Sequence, residues 1–197
     1  YAKKLYDRTS TKEKLIESFR MFKKASDKNY IEATFRCGIM LINGEGIPSD
    51  NELGSMYVKI AADNGHPRAC EQYANLLRDG TRISADSDQA IEYYLKAISK
   101  WNSDAAFDYG VMLENGLGIP VNLKLAAKYY KIAIDKGNPT AMHNYAHFLL
   151  KGLIGPPDYR GAVKYFKMAI DKGDISSMND FAFMLCEGEG IPIDNEK

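Results

Sequence analysis

The sequence predicts an all-α solenoid, in which helix–turn–helix units of 36 residues stack one after another. Three observations carry this. Residues 105–137 read as a helix, a tight Gly/Pro loop and a second helix, and the pattern fits again when shifted by 36 residues in either direction, with no insertion or deletion. Small, aromatic and leucine positions recur inside each unit at helical spacing. A Gly-x-Gly-Ile-Pro-x-Asp loop separates the two helices at 44–50 and 188–194, and at 116–122 it ends in Asn122.

The first helix of each unit, helix A, begins with the column Ala33, Ala69, Ala105, Ala141 and Ser177. Four residues on stand Cys37, Tyr73, Tyr109, Tyr145 and Phe181, then Gly38, Ala74, Gly110, Ala146 and Ala182. Leu41, Leu77, Leu113, Leu149 and Leu185 follow, and Gly44, Gly80, Gly116, Gly152 and Gly188 mark the helix end. Small residues let neighbouring backbones approach, aromatics and leucines fill the space between them, and the glycine suits a left-handed turn.

The loop delivers Asp50, Asp86, Asn122, Asp158 and Asp194 to the start of the second helix, helix B. Their short acceptor side chains are N-caps, worth about 1 kcal/mol each, so a catalytic or metal role is not assigned to them. Helix B repeats Gly54, Ala90, Ala126 and Ala162, then Tyr57, Tyr93, Tyr129 and Tyr165. Val58, Tyr94, Tyr130 and Phe166 come next, then Ala61, Ala97, Ala133 and Ala169. An aromatic stripe at this spacing is core. Helix B ends at Gly65, Gly137 and Gly173, and helix A restarts at His66-Pro67, Asn102, Asn138-Pro139 and Asp174.

The units run 33–68, 69–104, 105–140 and 141–176, preceded by a half unit (helix B, 12–29) and followed by another (helix A, 177–197), within one domain spanning 1–197. Neither end carries a polar cap, which leads to the expectation of a longer array, or of ends that dock on another chain.

Lys plus Arg and Asp plus Glu are 26 each, so no net charge draws the chain to nucleic acid or an anionic membrane. Apolar runs are too short to span a bilayer. Cys37, Cys70 and Cys186 are odd in number and lack CxxC spacing, which disfavours a disulfide framework or zinc site and gently favours a reducing compartment such as the cytoplasm. No leader is visible, but the first residue is Tyr1, so a removed one is compatible with the sequence.

The unit A-x-x-x-Y-G-x-M-L-x-x-G-x-G-I-P-x-[DN], followed by A-x-x-Y-Y-K-x-A-x-D-x-G, resembles the Sel1-like repeat family, a relative of the tetratricopeptide repeat. The likeness covers the chain from about residue 12 onward. It implies a right-handed superhelix of antiparallel helix pairs acting as an adaptor. Members include substrate-recruiting subunits of endoplasmic-reticulum ubiquitin ligases, activators of chitin synthase and secreted bacterial proteins, so the ER lumen is also compatible. Cysteine-rich members pair cysteines in every repeat, and this chain does not.

Three departures stand out. Thr81-Arg82-Ile83-Ser84 lacks the second glycine and the proline, and a left-handed Arg82 would cost about 1 kcal/mol. Gly152-Leu153-Ile154-Gly155-Pro156-Pro157 moves the second glycine by one, so both loops should deviate. Trp101 replaces the glycine that ends helix B, and is expected to staple onto the next helix near Ala105 or Ala106, with an exposed anchor for a partner as the alternative.

Helix A positions that vary between units fall on an arc of about 120°, opposite the packing columns. In a stacked superhelix this arc lines the concave side. The residues expected to bind a protein or peptide there are Phe35, Ile39, Glu71, Asn75, Arg78, Phe107, Asp108, Val111, Glu114, His143, His147 and Phe183. Apolar anchors among polar clamps suit an extended peptide or a helix. Packing of Phe35, Phe107 and Phe183 against neighbouring A helices is the competing reading.

His143 and His147, four apart, face the same way and could hold a metal with Asp108 or Asp180. The metalloprotease glutamate is absent between them, and hydrogen-bonding groove residues are preferred to a metal site. The lysines of helix B, such as Lys124, Lys128, Lys131 and Lys164, read as a solvated outer face.

No nucleophile elbow, phosphate loop or Ser-x-x-Lys is present, and the recurring glycines have a structural cause. The expectation is a non-catalytic adaptor without cofactor. The runner-up is an architectural module that self-associates through its ends or outer face.

Overall fold

The computed structural model describes residues 2–188, and these form ten α-helices and no strand. Two compact units divide the chain, 1–100 and 101–197. The first holds α1 (Ala2–Ser26), α2 (Ile31–Asn43), α3 (Asn51–Asp63), α4 (Pro67–Asp79) and α5 (Ser87–Ser99). The second holds α6 (Ser103–Asn115), α7 (Leu123–Asp135), α8 (Pro139–Leu150), α9 (Tyr159–Ile170) and α10 (Ile175–Glu187). Within each unit every helix packs on its neighbours along the chain. The A helices are α2, α4, α6, α8 and α10; the B helices are α3, α5, α7 and α9.

The loop chemistry is realised bond by bond. Gly44, Gly80, Gly116 and Gly188 close their helices in the left-handed region, each returning its amide to the carbonyl four residues back. Asp50, Asp86, Asn122 and Asp158 then accept the amides of Leu53, Gln89, Leu125 and Gly161 at 2.8–3.0 Å. The fifth loop beyond Gly188, with Asp194, lies outside the described residues. Arg82 does not adopt the left-handed conformation of Gly46 and Gly118. Its loop bends otherwise, and the guanidinium donates to the Ile42 carbonyl at 3.0 Å. The fourth loop deviates too: α8 ends a residue early at Leu150, with Lys151 as its cap.

The A helices start on caps reaching across the repeat. Asn102, Asn138 and Asp174 accept from Ala105, Ala141 and Ser177. At α4 the cap is an imidazole: His66 Nδ1 accepts from Ala69 at 3.1 Å, while Nε2 lies 2.7 Å from Glu32 of α2. Asp104 of α6 holds the cap of α8 in the same way, accepting from Asn138 at 3.0 Å.

Packing follows the columns. Tyr73 meets Tyr93 edge to face with centroids 4.8 Å apart, and Tyr109–Tyr129 and Tyr145–Tyr165 repeat the contact at 4.5 and 4.9 Å. Val58, Tyr94, Tyr130 and Phe166 are wholly buried beneath them. At α2–α3 the backbones come closest: a Cβ on Gly38 would stand 2.9 Å from the Gly54 carbonyl and the Val58 amide nitrogen.

Trp101 does not staple to α6. It takes the left-handed conformation of the glycine it replaces, with φ 66°, and remains 75% exposed. The Lys136 ammonium sits 3.9 Å from its ring centroid. That contact, worth about 0.5–1 kcal/mol at an exposed site, roughly offsets the backbone strain.

Three expected outcomes follow from this packing. Gly38→Ala, which meets backbone, loses about 2 kcal/mol in urea denaturation. Gly65→Ala, with open space around its Cβ, loses about 1 kcal/mol, from left-handed strain alone. Trp101→Gly is more stable than Trp101→Ala by about 1 kcal/mol in the same assay, because alanine keeps the strain and loses the ring. The hydrogen bond to His66, then the Arg36 guanidinium, holds the Glu32 carboxyl below its ordinary 4.5. A depressed folded-state pKa stabilises above the unfolded value and is lost as pH falls through the folded one. Wild type therefore exceeds Glu32→Gln in stability at neutral pH, and the difference shrinks to nothing as the pH drops below 4.5 and Glu32 protonates.

Candidate protein-binding face of the A helices

In the first unit, the variable arcs of α2 and α4 enclose a hollow of about 300 Å³. Ile39 and Ile42 supply one wall; Gln72, Asn75 and Arg78 supply the other, and Arg82 closes an end. Ile39, Asn75 and Arg78 were expected on this face. Arg82 was missed, because its loop reads in sequence only as a defective turn.

The polar wall is tied to the core. Tyr94 is fully buried and its hydroxyl donates to Asn75 Oδ1, while Arg78 donates to the same phenol oxygen at 3.0 Å. Asn75 in turn donates to Glu71 at 3.2 Å, and Gln72 donates there at 2.7 Å. Glu71 is thereby buried at 8% exposure, and Phe35, at 4%, stacks on the His66 ring. The structure thus places these two expected groove residues inside the packing rather than on the accessible face.

The second unit repeats the device at α6–α8. The buried Tyr130 hydroxyl donates to Glu114 and accepts from Asn144 at 3.3 Å. Burial and the Glu114 carboxylate push this phenol well above its ordinary pKa, so it remains a donor. Phe107 stacks on the Tyr130 ring at 5.8 Å, and Phe107, Asp108, Val111 and Glu114 are all half-buried on the arc.

At α8–α10 the chemistry changes. Phe166 stands where the tyrosines stood and offers no hydroxyl. The rings of His143 and His147 pack on its edge at 5.8 and 5.2 Å. His147 Nε2 lies 2.7 Å from Asp180 Oδ2, and His143 Nε2 lies 3.7 Å from the same oxygen. His143 Nδ1 is 3.0 Å from Ser177 Oγ, and His147 Nδ1 is buried with no hydrogen-bond partner among the described residues. Burial, then the neighbouring His147, holds His143 below its ordinary pKa and so neutral. Ser, His and Asp stand together here, but Ser177 has no exposed surface from which to attack a substrate. Phe183 is 58% exposed on α10.

Two further features bear on function. Lys124, Lys128 and Lys131 are exposed on the B-helix surface, where they line a hollow of about 460 Å³ with Tyr145 and Ile154. Cys37 and Cys70 are buried, and burial pushes the Cys37 thiol up to about 11, which leaves it unreactive.

The Sel1 repeat model matches residues 31–66, 67–100, 103–138 and 139–174. No curated protein matches the sequence. Among solved structures, the chain is similar to a Sel1 repeat protein from Oxalobacter formigenes, with 28% identity and a TM-score of 0.83 over 91% of this chain and 74% of that one. It is similar also to a protective antigen of uropathogenic Escherichia coli displaying an SLR fold, at 22% identity and a TM-score of 0.80, over 86% of this chain and 36% of that one. Cysteine rich protein B of Helicobacter pylori aligns with 66% of this chain and 94% of its own length, at 21% identity and a TM-score of 0.52. Below 25% identity the last two likenesses speak to the fold alone. Four matched units, capped and stacked as the helices above show, place the chain in the Sel1 repeat family of all-α repeat solenoids.

Proposed function

We propose that the chain is a non-catalytic interaction scaffold that receives a peptide or protein subunit on the variable arcs of its A helices. Sel1 repeats are in general protein–protein interaction modules, which sets the class. The hollow between α2 and α4 carries the finer reading: Ile39, with the buried Ile42 behind it, offers an apolar seat beside Arg82 and beside Arg78, which is paired with Asp79 at 2.7 Å. That pairing suits a ligand segment with an aliphatic side chain next to a carboxylate. Phe107 and Val111 extend the same kind of surface in the second unit. Self-association is the second reading, favoured by α10, where Ile175, Phe183 and Leu185 are 78%, 58% and 53% exposed among the described residues.

Capture from native extract, followed by competition, tests the proposal. Ile39→Ser with Arg82→Ala, and separately Phe107→Ser with Val111→Asn, weaken retention of the captured partner tenfold or more, while helical circular dichroism is unchanged. Lys124→Ala with Lys128→Ala on the B surface leaves retention as in wild type. Undiminished binding by both folded A-helix variants would refute the A-helix assignment. A captured species consisting of this chain itself, with size rising with concentration, would replace it with self-association.

A further inference from the structure

Several polar A-helix residues have a structural task, since Asn75 and Arg78 of α4, Glu114 of α6 and Asn144 of α8 serve the buried Tyr94 and Tyr130 hydroxyls. Phe166, in the same column as those tyrosines, offers no hydroxyl to be served, yet α8 carries two imidazoles packed on its ring. The stacking that sets α10 beside α8 then adds a carboxylate. The nearest ligating atoms of His143, His147 and Asp180 all lie within 4.8 Å of one another, and each residue is half-buried. We propose that His143, His147 and Asp180 form a binding site for a dication of the Zn²⁺ class, held by two imidazole nitrogens and one carboxylate oxygen, with a coordination position open to the arc.

The geometry suits this. Ligand atoms of a tetrahedral site at about 2.0–2.1 Å from the metal stand roughly 3.3 Å apart. The present separations from Asp180 Oδ2, 2.7 Å to His147 and 3.7 Å to His143, bracket that value. Small rotations of the Asp180 and imidazole side chains therefore open the site. One of the two imidazoles is oriented by a further hydrogen bond. A His143 Nδ1–H donating to Ser177 Oγ directs the Nε2 lone pair toward Asp180. Ser177 is the one member of its column that is not alanine, so the hydroxyl stands where the other repeats have none. His147 lacks such support: with Nε2 on the metal, its buried Nδ1–H would face no acceptor among the described residues, which weakens the site relative to a fully built one. Two nitrogens and one oxygen select borderline transition metals over Mg²⁺ or Ca²⁺, which require oxygen donors. The site does not depend on the peptide-binding reading, because the probe is the metal alone.

The test is calorimetric titration of ZnCl₂ into the metal-stripped chain carrying Cys186→Ser, which removes the exposed thiol as a competing ligand. The replacements follow what other repeats hold at the same positions: His143→Phe, His147→Val and Asp180→Asn. One Zn²⁺ per chain is expected, with no comparable heat from MgCl₂ or CaCl₂. Each replacement weakens Zn²⁺ binding tenfold or more, and His66→Gln in the other unit does not. Should a replacement unfold the chain, the thermal midpoint of the Cys186→Ser parent decides, rising with Zn²⁺ and not with Mg²⁺. Zn²⁺ binding that persists in a folded His143→Phe/His147→Val double variant, equal binding of Mg²⁺, or no Zn²⁺ binding at millimolar metal overturns the proposal.

Discussion

A phenol hydroxyl buried in a helical core must find a hydrogen-bond partner, and leaving it without one costs about 1–3 kcal/mol. Tyr94 and Tyr130 place two such hydroxyls wholly inside the stack. Both point through the A helices toward the variable arc, and Asn75, Arg78, Glu114 and Asn144 meet them there. The proposed binding face is therefore built outward from the core. Its polar residues are held in place by groups a ligand never touches, which is the preorganisation a recognition surface needs.

The remaining scaffold follows simpler demands. Each unit turns through a left-handed glycine and restarts on a cap, and three of the four pack one tyrosine on another between their two helices. Because those demands recur every 36 residues, they can be met by identical side chains, and the arc alone is left to differ. Trp101 shows how far a position can depart. It occupies a glycine conformation and is tolerated because Lys136 covers its ring.

Periodicity made the fold legible, since any side chain required by the backbone or the stack appears again one unit later. The caps at Asp50, Asp86, Asn122 and Asp158 and the tyrosine contacts could be read in this way. The arc was only half legible, because variation between units does not separate freedom from a private structural task. Asn75 and Glu114 vary, yet each answers a tyrosine. Phe35 varies, yet it packs on His66, whose imidazole caps α4 where other units use Asn or Asp. One signal stands in the sequence: Asn75 and Arg78, which answer Tyr94, occupy the places held one unit earlier by Ile39 and Ile42, in the unit whose matching column residue is Val58, whereas the histidines that face Phe166 break this pattern. Arg82 could not be placed from sequence at all, because its reach to Ile42 depends on a loop that abandons the usual turn.

The claim at the centre is that recognition lies on the A-helix arcs while the B helices and loops hold them. Titration of ¹⁵N-labelled protein with its captured partner, followed by amide chemical shifts, tests this most directly. The largest shifts are expected at Ile39, Gln72, Phe107 and Val111, with the amides of Lys124, Lys128 and Ile132 on α7 little changed. Shifts concentrated on the α7 surface, with the A-helix arcs silent, would contradict it.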